Sequence, residues 1–353
     1  MRACAWATAL GTGSDTVLLT RMGRLLLTIW CLLLLVTLGG AGQCSVSPRR
    51  IYFQNREGGG PATPNFLSHS VSLSSSSHSD RRPPIVVLHG LLGSCRNFQL
   101  WCRLLSQKTN NERDIIVLDL PCHGRTVTLG SFVLDFKSMA EDVVYTLCKL
   151  GIERAHIIGH SLGGKVCCKA VLMYHENGID FLSCTMMDIS PVNYEGSEEF
   201  KEVLGCIDFL QESHDKMRCA ASKNEALEII RGSIKDPVLQ QFLASNIAPR
   251  PSTLEGFEWK FLVDGIASSK QLIQGFPEEQ ETPYNNPALI LKGSLSKFVK
   301  ARHLPAISKL MPLYTLSTID GAGHWLHFEK PDAVADAVAQ FLSAAEDYTL
   351  SKG

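Results

Sequence analysis

The sequence predicts an α/β fold: a doubly wound, mostly parallel sheet with a helical cap insertion. From Pro83 onward, short apolar runs alternate with stretches of helical spacing, which is typical of strands joined by helical crossovers. The runs are apolar on both faces, as expected of parallel strands that helices cover on each side. Between residues 194 and 283 only helical and loop signals remain. We therefore expect a core over 83–193 and 284–346, interrupted by a helical cap over 194–283.

Each element follows from its local pattern. Six apolar runs predict strands, and helical spacing between and after them predicts five core helices. The predicted strands are 85–88, 115–118, 155–158, 184–187, 288–291 and 314–319. The predicted helices are 97–105, 136–150, 165–175, 304–310 and 332–345, and residues 197–210 and 224–231 have helical spacing within the cap.

The first 44 residues have the composition of a leader. An apolar run, 25–38, follows the basic Arg24 and ends in small residues, the layout of a secretory signal peptide or anchor. The run is shorter than the roughly 20 residues that a membrane span needs. Asp15 is the only acidic residue in this segment, a composition that also suits mitochondrial import. A secretory or membrane-anchored destination and a mitochondrial one both remain open.

The next segment, 45–82, is rich in glycine, serine and proline. Such a composition buries too little apolar surface to offset the entropy lost on ordering. We expect a flexible linker with two candidate edge strands, 51–53 and 71–73.

Composition and charge argue against several classes of function. The formal net charge is −1 over 353 residues, which gives no basic surface for nucleic acid. The 12 cysteines lack zinc-binding spacing, and most of them lie inside apolar runs, as buried thiols do. We therefore expect no metal, no cofactor and no nucleic-acid partner. The expected ligand is a small molecule, and membrane association would come from the leader.

The segment 159–164, Gly-His-Ser-Leu-Gly-Gly, is the most informative motif. It follows the predicted strand 155–158 and opens a stretch of helical spacing. A Gly-x-Ser-x-Gly between a strand and a helix is the nucleophile elbow of hydrolases, a turn tight enough to require the glycines on both sides. We predict that Ser161 is a nucleophile whose hydroxyl projects above the sheet.

The predicted nucleophile needs a base to take its proton, and the base needs an acid partner. In this fold the histidine follows the last strand. Gly321 and Gly323 let the loop after 314–319 turn tightly, so His324 is the predicted base. His327 is the competing histidine, and we interpret it as a loop or cap residue.

The acid partner is less clearly indicated. Its usual place is the turn after the seventh strand, but the segment 292–297 there contains no carboxylate. Asp188 ends the preceding predicted strand, where side chains point into the ligand crevice at the carboxyl ends of the strands. Asp264, within the cap, is the alternative. We favour Asp188 and keep Asp264 open, with turn or helix capping as the structural interpretation of Asp188.

An oxyanion hole needs two backbone N–H groups aimed at the developing negative charge. Leu162, directly after the predicted nucleophile, supplies one. Leu91, in the Gly-rich loop after the first predicted core strand, supplies the other. The remaining histidines of these loops, His89, His123 and His160, are interpreted as structural.

These motifs resemble the α/β-hydrolase superfamily, esterase branch. The resemblance rests on the segments 89–94, 159–165, 188–192, 321–327 and 329–331, and it covers about residues 83–342. Within the branch they are similar to the mitochondrial abhydrolase-domain-containing protein eleven and its small bacterial esterase relatives. The resemblance places an acid at Asp188 in the bacterial relatives and also at Asp264 in the animal ones. The loop 119–124 departs from the family pattern Asp-x-Arg-Asn-His-Gly.

The leading hypothesis is a serine hydrolase that cleaves acyl esters or thioesters through an acyl-enzyme. The resemblance implies lipid-derived substrates and, for mitochondrial relatives, contact with lipoate-dependent dehydrogenase complexes; the residues themselves indicate no protein partner. A serine at the elbow, in place of aspartate, argues against haloalkane dehalogenases and epoxide hydrolases. Two alternatives remain open: a transacylase, and a ligand- or protein-binding member of the fold with little turnover.

Overall fold

The described part of the chain covers most of the predicted core and cap. The computed structural model describes residues 69–72, 82–126, 133–174, 178–250, 254–276 and 282–352. The predicted leader, 1–44, and the candidate strand 51–53 lie outside these residues, as does most of the predicted linker. The second candidate edge strand, 71–73, overlaps a strand of the structure.

Seven strands form one mixed sheet. The strands of the chain are β1 His69–Ser72, β2 Ile85–Leu88, β3 Ile115–Leu118, β4 Arg154–His160, β5 Asp180–Met187, β6 Ile247–Pro249, β7 Phe257–Trp259, β8 Ala288–Gly293 and β9 Tyr314–Ile319. The order in the main sheet is β1-β3-β2-β4-β5-β8-β9. Only β1 is antiparallel to its neighbour within this sheet. The predicted mostly parallel sheet is therefore confirmed.

Helices connect the strands and cover the sheet. They are α1 Gln99–Lys108, α2 Phe136–Lys149, α3 Leu162–Tyr174, α4 Glu198–Cys219, α5 Lys223–Ser233, α6 Pro237–Ser245, α7 Val263–Ser268, α8 Lys270–Gln274, α9 Leu304–Leu310, α10 Leu326–Glu329 and α11 Pro331–Lys352. Short 3₁₀ turns precede α1 at Cys95–Phe98 and α9 at Ala301–His303. No helix among the described residues is both long and apolar enough to span a bilayer.

The main sheet has a hydrophobic core on each face. Along β2, Val86 and Leu88 pack into one core, and Ile85 and Val87 pack into the other, because successive side chains of a strand point to opposite faces. Helices α2 and α3 contribute to the first core, and α1 and α11 contribute to the second. All four β2 side chains are fully buried, which explains why the strand reads as a continuous apolar run.

The segment between β5 and β8 contains more than the predicted helices and loops. Helices α4 to α8 lie there, and so do β6 and β7, which pair as an antiparallel two-stranded sheet. The prediction of only helical and loop signals is therefore wrong at this point. Strands of three residues are too short to show a period of two, and the hairpin was missed for that reason.

Candidate active site

Ser161 occupies a strained turn between β4 and α3. Its φ is +52°, in the left-handed region that non-glycine residues seldom adopt. A Cβ on Gly163 would lie 2.5 Å from the carbonyl oxygens of both Leu88 and His89, and one on Gly159 would lie 2.2 Å from the Gly163 carbonyl oxygen. Both glycines are thus required by close backbone packing. The turn places Ser161 at the carboxyl end of the sheet.

His324 links Ser161 to Asp188 across the strand ends. His324 Nδ1 lies 2.7 Å from Asp188 Oδ2, and His324 Nε2 lies 3.1 Å from Ser161 Oγ. Because an ionised carboxylate only accepts hydrogen bonds, Nδ1 carries the proton and donates to Asp188. The unprotonated Nε2 then accepts from the Ser161 hydroxyl. The structure brings together the three residues that the sequence favoured.

The carboxylate of Asp188 is fully buried just after β5. Its Oδ1 accepts a hydrogen bond from Gly293 N–H at 3.0 Å, and its Oδ2 accepts one from the Ser296 hydroxyl. These donors, together with His324, offset the cost of burying a charge. Both Gly293 and Ser296 come from the end of β8 and the turn after it. That turn, which contains no carboxylate, supplies hydrogen-bond donors to the acid of the neighbouring strand.

Asp264, the alternative acid, lies in a different environment. It is exposed in the first turn of α7, between β7 and β8 in the sequence. The carboxyl group that contacts the His324 imidazole is that of Asp188.

The predicted oxyanion donors Leu91 and Leu162 both line the cavity above Ser161. Gly93 N–H donates to Gly90 O at 3.0 Å, closing a turn that contains Leu91 and Leu92. Leu92 has a φ of +61°, and its own N–H donates to a histidine of the adjacent loop. In the described part of the chain, the N–H groups of Leu91 and Leu162 have no acceptor. Both donors remain free for an oxygen of a ligand.

His89 and His123 fix the loops that flank this turn. His89 Nε2 accepts from Leu120 N–H at 3.0 Å, and His123 Nε2 accepts from Leu92 N–H at 3.0 Å. The Nδ1–H of each ring donates to a backbone carbonyl of its own loop. Burial lowers the pKa of both, that of His123 to about 3. Both rings are neutral and structural.

The loop 119–124 is held by its aspartate despite its departure from the family pattern. The Asp119 carboxylate accepts from Cys95 N–H at 2.6 Å and from Arg125 N–H at 2.9 Å. The loop therefore keeps a buried hydrogen-bonded anchor without the arginine and asparagine of that pattern.

His160 and His327 lie against the His324 loop. His160 Nε2–H donates to His324 O at 2.8 Å, which connects the serine turn to the histidine loop. The ring of His327 stacks on Phe98, with centroids 4.3 Å apart. Burial lowers the pKa of His327 to about 3, and its Nδ1 has no hydrogen-bond partner among the described residues. Among the described residues, Ser161 hydrogen-bonds to the His324 ring and to neither of these two, in keeping with their structural interpretation.

A largely apolar cavity of about 520 Å³ lies above Ser161. Its walls include Ile189, Phe298 and Trp325 from the loops at the strand ends, and Phe200 and Phe209 from α4. The size lies within the range of small-molecule sites. Helices α4, α6 and α8 and the connection between α5 and α6 contribute further walls, so the segment between β5 and β8 helps to shape the space over the serine.

Lys165 is a buried cation that sequence reasoning did not single out. It lies one turn after Ser161 in α3, and its Nζ donates to Gln274 O at 3.0 Å and to Gly275 O at 2.7 Å. The ammonium also lies over the Tyr194 ring, 4.8 Å from its centroid. Burial lowers the pKa of Lys165 to about 7. The side chain therefore links α3, the helix that follows Ser161, to the end of α8. The only sequence signal for this residue is its place at the end of the motif 159–165.

Comparison with known proteins places this geometry in a family. A family model described as "alpha/beta hydrolase fold" matches residues 83–204. The chain is 32% identical to the sn-1-specific diacylglycerol lipase ABHD11 of Xenopus tropicalis over 265 residues, 74% of this chain and 79% of the relative. It is 32% identical to Esterase YbfF of Escherichia coli strain K12 over 260 residues, 74% of this chain and 93% of the relative.

The solved structure of a marine microorganism esterase superimposes with a TM-score of 0.70 at 27% identity, covering 78% of this chain and 99% of that one. Fold and relatives together define a carboxylic ester hydrolase. The chain belongs to the α/β-hydrolase family, in the esterase branch with ABHD11 and the bacterial esterases. The resemblance read from its motifs is confirmed.

Proposed function

We propose that Ser161, His324 and Asp188 form a catalytic triad that cleaves acyl esters or thioesters through an acyl-enzyme. The observation that supports this proposal is the pair of hydrogen bonds from Ser161 Oγ to His324 Nε2, 3.1 Å, and from His324 Nδ1 to Asp188 Oδ2, 2.7 Å. A nucleophile, a base and an acid in this order are the requirement for activating a serine hydroxyl.

In the first half-reaction, Ser161 Oγ attacks the acyl carbonyl carbon while His324 Nε2 takes the hydroxyl proton. The carbonyl oxygen becomes an oxyanion, which accepts hydrogen bonds from the N–H groups of Leu91 and Leu162. The intermediate collapses as the bond to the leaving oxygen or sulfur breaks, and the imidazolium returns its proton to that atom. The acyl group then remains on Ser161.

In the second half-reaction, a water molecule attacks the acyl-enzyme. His324 takes a proton from the water, and after collapse it returns the proton to Ser161 Oγ, releasing the carboxylic acid. Asp188 keeps the proton on Nδ1 and stabilises the imidazolium in both halves. Its hydrogen bonds from Gly293 and Ser296 support that role, because they orient the buried carboxylate toward His324.

We further propose that residues 194–283 act as the cap over a lipid-like acyl substrate. The support is the apolar lining that α4, α6 and Ile234, between α5 and α6, contribute above Ser161. A relative named as a diacylglycerol lipase is in keeping with such a substrate. Core segments 83–193 and 284–346 then supply the chemistry, and the cap supplies the pocket.

The test is to replace Ser161 with alanine and to follow both labelling and turnover. Ser161→Ala should abolish covalent labelling by a fluorophosphonate probe and should lower kcat on a p-nitrophenyl ester by about 10⁶-fold. Ser268→Ala, at an exposed serine of α7, is the matched control and should keep both. Labelling or turnover that survives in Ser161→Ala would rule out the proposed nucleophile.

A further inference from the structure

The cavity above Ser161 has solvent-exposed residues in part of its lining. Among its lining residues, those that are exposed to solvent fall in two neighbouring segments. Glu202 and Gly205 belong to α4, Ser233 is the last residue of α5, and Lys235 and Asp236 lie in the connection from α5 to α6. The other lining residues are buried or half-buried. We call these five residues the portal.

The portal differs in chemistry from the cavity behind it. Its side chains include two carboxylates, Glu202 and Asp236, and the ammonium of Lys235. The half-buried and buried lining residues of α4 are mostly apolar, Phe200, Val203, Cys206 and Phe209, together with the buried Glu199. A polar rim around an apolar interior suits a ligand with a long apolar chain, since the chain is desolvated only inside the rim.

Gly205 is unusual for its position in the portal. It lies in the interior of the 22-residue helix α4, where glycine is disfavoured relative to alanine. A Cβ built at Gly205 would meet no heavy atom within 4 Å, and the backbone is not in the left-handed region. Neither packing nor backbone conformation therefore requires a glycine here. The consequence of the missing side chain is open space at the rim.

We propose that Gly205 is a specificity-determining residue that lets an acyl chain longer than the enclosed cavity extend through the portal. The proposal rests on the proposed function, because it takes the acyl group to be attached to Ser161. Because Gly205 lines the cavity and an added Cβ would lie in open space, a side chain there would fill part of the portal and shorten the path available to the chain. The substrate class that fits is an ester of a medium or long fatty acid.

The experiment is to add bulk at Gly205 and to measure the acyl-chain profile. For Gly205→Trp, kcat/KM is measured on p-nitrophenyl acetate and on p-nitrophenyl decanoate. The decanoate-to-acetate ratio should fall by about tenfold or more, the range that a lost or gained group in an apolar pocket produces. Gly205→Leu should give a smaller fall in the same ratio, since its side chain is shorter.

The matched control is Gly232→Trp. Gly232 is also an exposed helical glycine with no heavy atom within 4 Å of its added Cβ, but it does not line the cavity. The ratio should stay within twofold of the parent value for this variant. The control separates the effect of bulk at the portal from that of bulk on a helix of the cap.

Two outcomes would overturn the proposal. An unchanged ratio in both Gly205→Trp and Gly205→Leu would show that the chain does not pass Gly205. An equal loss on both esters would show that bulk at the portal does not discriminate between acyl chains of different length. Fluorophosphonate labelling of Ser161 in the same variants tests the proposed function separately, so failure of one is distinguishable from failure of the other.

Discussion

The strand ends and the inserted helices of this molecule are built by different rules. At the strand ends, Ser161 and Asp188 both have φ of +52°, and Gly163 contacts backbone atoms of another loop. In the insertion, α4 and α5 each begin at a serine, Ser197 and Ser222, whose side chain accepts a hydrogen bond from the first turn. The strand ends depend on contacts across the sheet, whereas α4 and α5 are capped by the residue directly before each helix.

We expect the strand ends to determine the rate of the reaction and the inserted helices to determine the choice of substrate. Reacting groups positioned by several strand ends tolerate little displacement, because a shift of about 1 Å is enough to weaken catalysis by about a hundredfold. Locally capped helices tolerate changes on their free faces. Substitutions at the strand ends should therefore act on kcat, and substitutions in the insertion should act on which ester is preferred.

The largest expected contrast is between the two aspartates. Asp188→Asn leaves the size of the side chain unchanged but removes the charge that faces the imidazole, so kcat should fall by about 10⁴-fold. Asp264→Asn, at an exposed position of α7, should leave kcat within twofold. Steady-state kinetics on a p-nitrophenyl ester decide this. A similar small loss in both variants would reject both residues as the acid.

Alanine in place of glycine should have opposite effects in the two regions. Gly163→Ala forces a Cβ to within 2.5 Å of two carbonyl oxygens, and overpacking of this kind should cost about 3 kcal/mol of unfolding free energy. Gly205→Ala adds a methyl group in open space on a helix and should add about 1 kcal/mol. Urea unfolding measures both. Equal effects of the two substitutions would remove the distinction between the regions.

The hydroxyl of Ser296 offers a finer test of the strand ends. Ser296→Ala removes a donor to the buried Asp188 carboxylate, and a hydrogen bond to a charged group is worth about 2 kcal/mol. We expect kcat to fall by about tenfold or more with little change in KM. Ser296→Thr keeps the hydroxyl and should restore most of the rate. If Ser296→Thr and Ser296→Ala behave alike, the hydroxyl has no part in positioning Asp188.

A smaller, pH-dependent effect is expected beneath the strand ends. Burial lowers the pKa of His327 from 6.5 to about 3, so the unfolded chain binds the additional proton between these values. The corresponding stability is complete above pH 6.5 and is lost as the pH falls toward 3. On going from pH 8 to pH 5.5, the parent should lose about 1.4 kcal/mol more than His327→Phe.

Urea unfolding at the two pH values gives that difference directly, and any constant effect of the new ring cancels. His214→Gln, at a half-exposed histidine of α4, is the control from the insertion. An identical pH dependence in the parent and His327→Phe would show that His327 is not held neutral.

Much of the main sheet and of the candidate site was predictable because the sequence signals there are local. The strand 85–88 was predicted at the observed bounds, since a continuous apolar run marks a buried strand. The strand 314–319 also matches its predicted bounds, although most of its residues are exposed or half-buried. Ser161 and His324 were identified from glycine-rich turns whose backbone demands leave few residue choices. The expectation that Asp188 faces the same crevice depended only on the sheet being parallel.

The remaining features depend on contacts between distant segments. Ser296 bonds to Asp188 across 108 positions, and nothing near Ser296 in the sequence indicates that partner. The β6–β7 hairpin consists of strands too short for a periodic signal. In the sequence, Gly205 is only a residue of low helix propensity within a helix. Its place at the portal is visible only in the structure, where the connection from α5 to α6 also lines the cavity.

The hydrogen bond between Ser296 and Asp188 also shows how the position of the proposed acid could differ between related proteins. Strands β5 and β8 are parallel neighbours, spaced about 4.8 Å apart, so both ends lie beside the same imidazole. A lineage could gain an aspartate in place of Ser296 and later lose Asp188 while histidine and serine stay where they are. In the intermediate, two carboxylates would share the site and one would stay protonated. With Ser161 and His324 unchanged, the proposed acid would then lie at the end of β8 in place of β5.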